Sequence, residues 1–124
     1  VKLLLDTHVV LWWREAHPRL ASDIVDLIGR ADLVYVSAAS AWEIAVKQSL
    51  GKVRLPEPFA EGVDASGFAR LPIEFEHAAL AGELPPHHSD PFDRMLIAQA
   101  RLEGLTLVTH DRRFGAYGVE VLWA

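Results

Sequence analysis

The sequence predicts an α/β domain built on a largely parallel sheet. Two observations carry this. Short apolar runs that suit strands buried on both faces recur along the chain, and segments with helical spacing and helix punctuation separate them. Residues 2–5, "KLLL", are the first such strand, and "THVVLWWR" (7–14) reads as a short helix. In "HPRLASDIVDLIGRAD", Pro18 is expected early in a second helix whose Leu20, Ile24, Leu27 and Ile28 share one face. "DLVYVS" (32–37) is a second buried strand. "SAASAWEIAVKQSLGK" is a helix that Ser37 or Ser40 can cap and Gly51 stops. "LPEPFAEGVDASGF" predicts a short helix framed by loops, "FARLPI" a third strand, "EFEHAALAGEL" another helix and "PPHHSDP" a loop. "PFDRMLIAQARLEG" is a strong helix with Pro91 at its first position and Gly104 at its end. "LTLVTHD" is a strand running into a turn, and "GVEVLWA" a final strand. No repeat, low-complexity segment or linker interrupts residues 1–124, which are expected to form a single domain.

The bulk numbers exclude several classes. The 124 residues are 51% hydrophobic and 23% charged, which argues against disorder. There is no cysteine, so disulfides and thiolate metal sites are ruled out. No apolar run reaches the roughly 18 residues of a membrane span. Lys2 followed by a strand-like run, with no small-residue cleavage site, does not read as a signal peptide, and a cytoplasmic protein is expected. The net charge of −5 is the wrong sign for gripping nucleic acid by bulk electrostatics; such a role would need local cations.

Parallel sheets bind ligands beyond the carboxyl ends of their strands, so the acids found there matter most. Asp6 follows the first strand and Asp111 follows "TLVTH". Glu43 lies among Trp42, Ile44 and Ala45. Asp93 sits in the first turn of the Pro91 helix. A helix packed antiparallel there is expected to begin at the opposite sheet edge, away from the other acids. Taken singly, each acid has a structural reading. Asp6 suits a helix cap, Asp90 before Pro91 is an N-cap, and Asp93 favours the helix dipole. Glu43 can pair with Lys47, and Asp111 can pair within "DRR". Taken together, four carboxylates in apolar settings repel one another unless a cation neutralises them. Without cysteine, Mg²⁺ or Mn²⁺ is the expected ion, and phosphodiester hydrolysis the expected chemistry.

Four segments carry a family resemblance: "LLLDTHVVLWW", "VSAASAWEIAVKQSLGKVRLP", "HHSDPFDRMLIAQA" and "LTLVTHDRRF". In order and over nearly the whole chain, they resemble the PIN-domain ribonucleases, and within them the VapC-type toxins of toxin–antitoxin pairs. The resemblance implies a three-layer α/β/α fold around about five largely parallel strands. It implies that Asp6, Glu43, Asp93 and Asp111 are both the catalytic and the metal-binding acids, holding one or two Mg²⁺ or Mn²⁺ ions. It implies that the start of the Asp93 helix reaches the shared site. Its remaining implications are an RNA substrate, a VapB-like antitoxin and a homodimer.

Thr7 and Thr109 flank the acids and are candidates to bind a carboxylate or a metal water. Lys47, Lys52, Arg94, Arg112 and Arg113 lie near the acid motifs in sequence; Arg94 and Arg112 are the favoured phosphate contacts. Six histidines show no zinc-enzyme spacing; adjacent His87 and His88 cannot easily chelate together, and His110 reads as a surface turn residue. Trp12 and Trp13 are consecutive, so a helix cannot bury both equally on one face; one in the core with the other in an exposed partner patch is one reading, and a structural role for both is the other. A phosphatase with a strand-end nucleophile needs a second aspartate where His8 stands. The chain is short for a branched-DNA nuclease. A PIN-like module that binds RNA or a partner without cutting is the alternative, and four intact acids argue against it.

Overall fold

The computed structural model describes residues 1–124. The strands are β1 (Lys2–Leu5), β2 (Leu33–Ser37), β3 (Ala69–Leu71), β4 (Thr106–Thr109) and β5 (Val121–Trp123). The helices are α1 (Thr7–Glu15), α2 (Ser22–Arg30), α3 (Ala38–Ser49), α4 (Phe59–Ala65), α5 (Phe75–Glu83) and α6 (Pro91–Glu103). A 3-10 helix spans Arg112–Tyr117. All strand pairings are parallel, in the order β3-β2-β1-β4-β5.

Successive side chains of a strand point to opposite faces, and the central strands are apolar on both. Leu3, Leu5, Val34, Val36 and Val108 pack on one side with residues of α1, α2 and α4, Val9, Ile24, Ile28 and Val63 among them. Leu4 and Leu107 pack on the other side with Leu96, Ile97 and Ala100 of α6 and with Phe114. The result is the three-layer α/β/α sandwich expected from the resemblance.

Connectivity places the site. From β1 the chain steps outward to β2 and β3, then returns through α5 and α6 to lay β4 on the other side of β1. Strand order therefore reverses between β1 and β4, and a crevice opens at such a switch beyond the carboxyl ends of the strands. Asp6 ends β1 there, its amide donating to the Val108 carbonyl of β4 at 3.0 Å. The expectation for α6 is corrected. A helix that leads into a parallel strand and packs antiparallel to it finishes at that strand's start. It therefore begins at the carboxyl edge. The left-handed Gly104 (φ 66°) ends α6 just before β4, which leaves Asp93 at the edge that carries Asp6 and Asp111.

Two local expectations also change. Pro18 and Leu20 precede α2 rather than lying in it. Ala16 ends α1 in a left-handed conformation (φ 50°), and the His17 ring accepts the Arg19 amide through Nδ1, folding residues 17–20 into a separate turn. Leu27 is partly exposed rather than core. Caps at Ser37 and Asp90 form as read: Ser37 Oγ accepts the Ala39 amide, and Asp90 accepts those of Phe92 and Asp93. No helix is long and apolar enough to cross a membrane.

Leu4 is fully buried in the central strand, while Leu102 is half exposed on α6. Leu4→Ala should lower unfolding free energy by about 2–5 kcal/mol in urea titration, and Leu102→Ala by less than about 0.5 kcal/mol.

Candidate metal centre

Asp6 is buried, and its two carboxylate oxygens are held by different elements. Oδ1 accepts the His8 amide at 2.7 Å, capping α1, and Oδ2 accepts the Thr109 hydroxyl of β4 at 2.5 Å. The same Thr109 oxygen accepts the Asp111 amide at 3.1 Å. One threonine thus ties the acids of both central strands together, as expected of Thr109. Thr7 does something else. Its hydroxyl donates to Ser40 Oγ at 2.8 Å and joins the start of α1 to α3, with no bond to an acid.

Glu43 is buried on α3, and its i+4 partner Lys47 donates to Oε2 at 2.7 Å. The pair forms as the spacing predicts, with the glutamate side chain only 6% exposed. Glu43 Oε1 is buried with no hydrogen-bond partner. A buried carboxylate oxygen left this way is costly.

Asp93 receives the whole cluster. Its carboxyl is pushed up from 3.8 to about 8, first by burial and then by the negative charges of Asp90, Asp6, Glu43 and Asp111. The structure therefore brings all four expected acids into one electrostatic unit, with the Asp90 cap beside them. Asp111 is shifted the other way, to about 2, because the Arg113 guanidinium grips both its oxygens at 2.7–3.0 Å. Arg113 is the local cation of the acid cluster.

His88 was not recognised from sequence. It is buried, with Nε2 2.9 Å from Asp93 Oδ2 and 3.2 Å from Asp111 Oδ2. Its Nδ1 accepts the Asp90 amide at 3.2 Å, so the ring proton resides on Nε2, which hydrogen-bonds Asp111 Oδ2 with Asp93 Oδ2 in close contact. Its own amide donates to the Tyr117 hydroxyl, which donates on to the Pro85 carbonyl. In this tautomer His88 orients carboxylates rather than ligating a metal. The only sequence signal was a histidine two residues before the Asp90–Pro91 cap.

Arg94 is not free to meet phosphate. Its guanidinium donates to the carbonyls of Ala81, Leu84, Pro85 and His88 at 2.7–3.2 Å and so fastens the loop that carries His88. Arg112 is exposed, lying 4.6 Å over the Trp123 ring.

The donor set is carboxylate oxygen throughout, with a buried oxygen unpartnered and an acid whose ionisation its neighbours oppose. Those residues fit a hard divalent cation such as Mg²⁺ or Mn²⁺. The PIN domain family matches residues 3–120. This chain belongs to the PIN-domain family. Ribonuclease VapC22 of Mycobacterium tuberculosis is 33% identical over 118 residues, 93% of this chain and 91% of that protein. VapBC2 from Rickettsia felis, solved bound to a promoter DNA fragment, shares this PIN fold with TM-score 0.73 at 17% identity, covering 98% of both chains. DNA-bound VapBC from Salmonella typhimurium matches with TM-score 0.73 at 20% identity over 98% of this chain and 97% of that one.

In this PIN domain Asp93 keeps its proton to about pH 8 when folded but ionises near 3.8 when unfolded. The folded state binds the extra proton between those values, so metal-free stability should fall as pH rises from about 4 to about 8. Asp111 acts in the opposite sense and in another window. Its contribution is present above about pH 4 and is lost as pH falls toward about 2. Thermal melts in EDTA should show Tm dropping between pH 5 and 8. Asp93→Asn should flatten that slope, and Mn²⁺ should restore wild-type Tm at pH 8.

Proposed function

We propose that this PIN domain is a divalent-metal-dependent endoribonuclease acting in the cytoplasm as the toxin of a toxin–antitoxin pair. The observation that carries the proposal is the convergence of Asp6, Glu43, Asp93 and Asp111 at the switch point, with Glu43 Oε1 buried and unpartnered. The likeness to a ribonuclease across nearly the full length supports the RNA substrate. The likeness to chains from VapBC complexes supports a VapB-like antitoxin as partner. A second copy of the chain is the other protein partner this reading assigns.

Asp6 and Asp93 are the proposed principal ligands of one Mg²⁺ or Mn²⁺, with Asp111 completing the site and Glu43 serving the attacking water or a second ion. When bound, the cation supplies polarisation of a phosphoryl oxygen and acidification of water. The protein's share is positional. Thr109 and the His8 amide fix the Asp6 carboxylate, and His88 Nε2–H hydrogen-bonds Asp111 while its ring sits against Asp93. Lys47 anchors Glu43 by one oxygen at 2.7 Å and leaves the buried Oε1 without a partner, so the carboxylate is the proposed group to orient the attacking water or to support a second ion. Arg112 remains the candidate to meet substrate phosphate beside the acids.

In Asp6→Asn the amide oxygen can keep the α1 cap while the amide N–H donates to the Thr109 hydroxyl oxygen instead of accepting from it, so the substitution removes the charge and keeps both contacts. Purified, antitoxin-free protein should cut bacterial RNA at discrete ends in Mn²⁺, read by sequencing every new end. EDTA should abolish the cuts. Asp6→Asn should lose more than the roughly 10–100-fold typical of an outer partner. A fully active Asp6→Asn protein would sink the assignment.

A further inference from the structure

The carboxyl edge of the sheet carries more than acids. His110 stands between Thr109 and Asp111, with its side chain exposed. The Trp12 ring lies against it, with centroids 4.7 Å apart and planes tilted by 34°. His17 stacks with Trp12 at 5.6 Å and 22°. His8, also exposed, meets His110 edge-on at 5.7 Å. The strip starts at the acids, because His8 Nδ1 is 4.0 Å from Asp6 Oδ1 and His110 adjoins Asp111. From there it runs to the turn after α1. Two exposed guanidiniums flank it, Arg19 at 5.8 Å from the Trp12 centroid and Arg112 over Trp123.

Packing accounts for only part of this. Trp12 and Trp13 both rest half-buried against the core, and Trp13 meets Phe68. Of the two readings of this pair, both tryptophans packing against the core is the one that forms. His8 and His110 are exposed. Aromatic and arginine side chains also anchor protein partners, so the position of the strip decides: it begins at the acids, where a substrate strand must pass. Flat rings interleaved with guanidiniums match the faces of unpaired bases and the phosphates between them. They also answer the net charge of −5, since stacking holds a strand that bulk electrostatics would repel.

We infer that the His8, His110, Trp12 and His17 strip is a nucleobase platform, which stacks unpaired bases of a single-stranded RNA segment beside the acid cluster while Arg19 and Arg112 meet neighbouring phosphates. The inference rests on the proposed nuclease function and assigns the side chains that hold the bases of its substrate.

Steady-state cleavage of a single-stranded RNA in Mn²⁺ tests it, with wild type, His110→Ala, His110→Phe and the double variant His8→Ala/His110→Ala. Each lost ring should raise KM by roughly tenfold and change kcat by less than about threefold. His110→Phe should restore KM, because a flat ring and not an imidazole is what stacking needs. Cross-linking of 4-thiouridine RNA should label peptides containing residues 8–19 and 110–112. Unchanged KM in the double variant would overturn the platform, as would a phenylalanine as poor as alanine, or cross-links confined to other surfaces. So would ring variants that lose only a protein partner. Each of those results leaves cleavage by wild type standing. Failure of wild type to cut any RNA would overturn the nuclease reading as well.

Discussion

Mutual repulsion among buried carboxylates is the constraint around which this edge of the protein is organised. Asp6, Glu43, Asp93 and Asp111 come from four different elements, and burial together with the neighbouring negative charges makes Asp93 hold its proton to about pH 8. A fold that gathers acids this way gives up stability, as functional sites commonly do. The arrangement makes physical sense when a cation supplies the missing positive charge.

The scaffold reduces the repulsion without removing it. Reversal of strand order between β1 and β4 sets two acids at rigid strand ends, and Thr109 links them through one hydroxyl. α6 begins at that edge because it must run back to feed β4. Around the acids, Lys47 and Arg113 each neutralise one member, and His88 hydrogen-bonds Asp111 and lies against Asp93. Arg94 then secures the His88 loop through four carbonyls. Residues that the linear sequence suggests as phosphate contacts thus divide into three jobs. Arg94 fastens a loop, Arg113 balances a charge, and Arg112 is left at the surface.

Legibility from sequence followed physical locality. Apolar runs identify the central strands, and the Ser37 and Asp90 caps mark their helices, because those signals lie within a few residues. The acids stood out for the same reason, being charges in apolar settings. What stayed hidden depends on distant partners. His88 sits in a proline-rich loop with no periodicity, and its meaning comes only from Asp93, Asp111 and Tyr117. Thr7 looked like a companion of Asp6 but faces Ser40. The Pro18 turn was taken for helix because the His17 ring that folds it acts through a side chain. The direction of α6 was a matter of topology rather than of sequence, and reasoning from parallel crossovers recovers it.

The central claim is that this acid cluster is a cation site. Crystals of the protein soaked in Mn²⁺ and measured at the manganese absorption edge test it directly. The account predicts an anomalous peak among the carboxylates of Asp6, Glu43, Asp93 and Asp111. A peak bound elsewhere, or a cluster that stays metal-free with the Arg113 guanidinium still gripping Asp111, would contradict it.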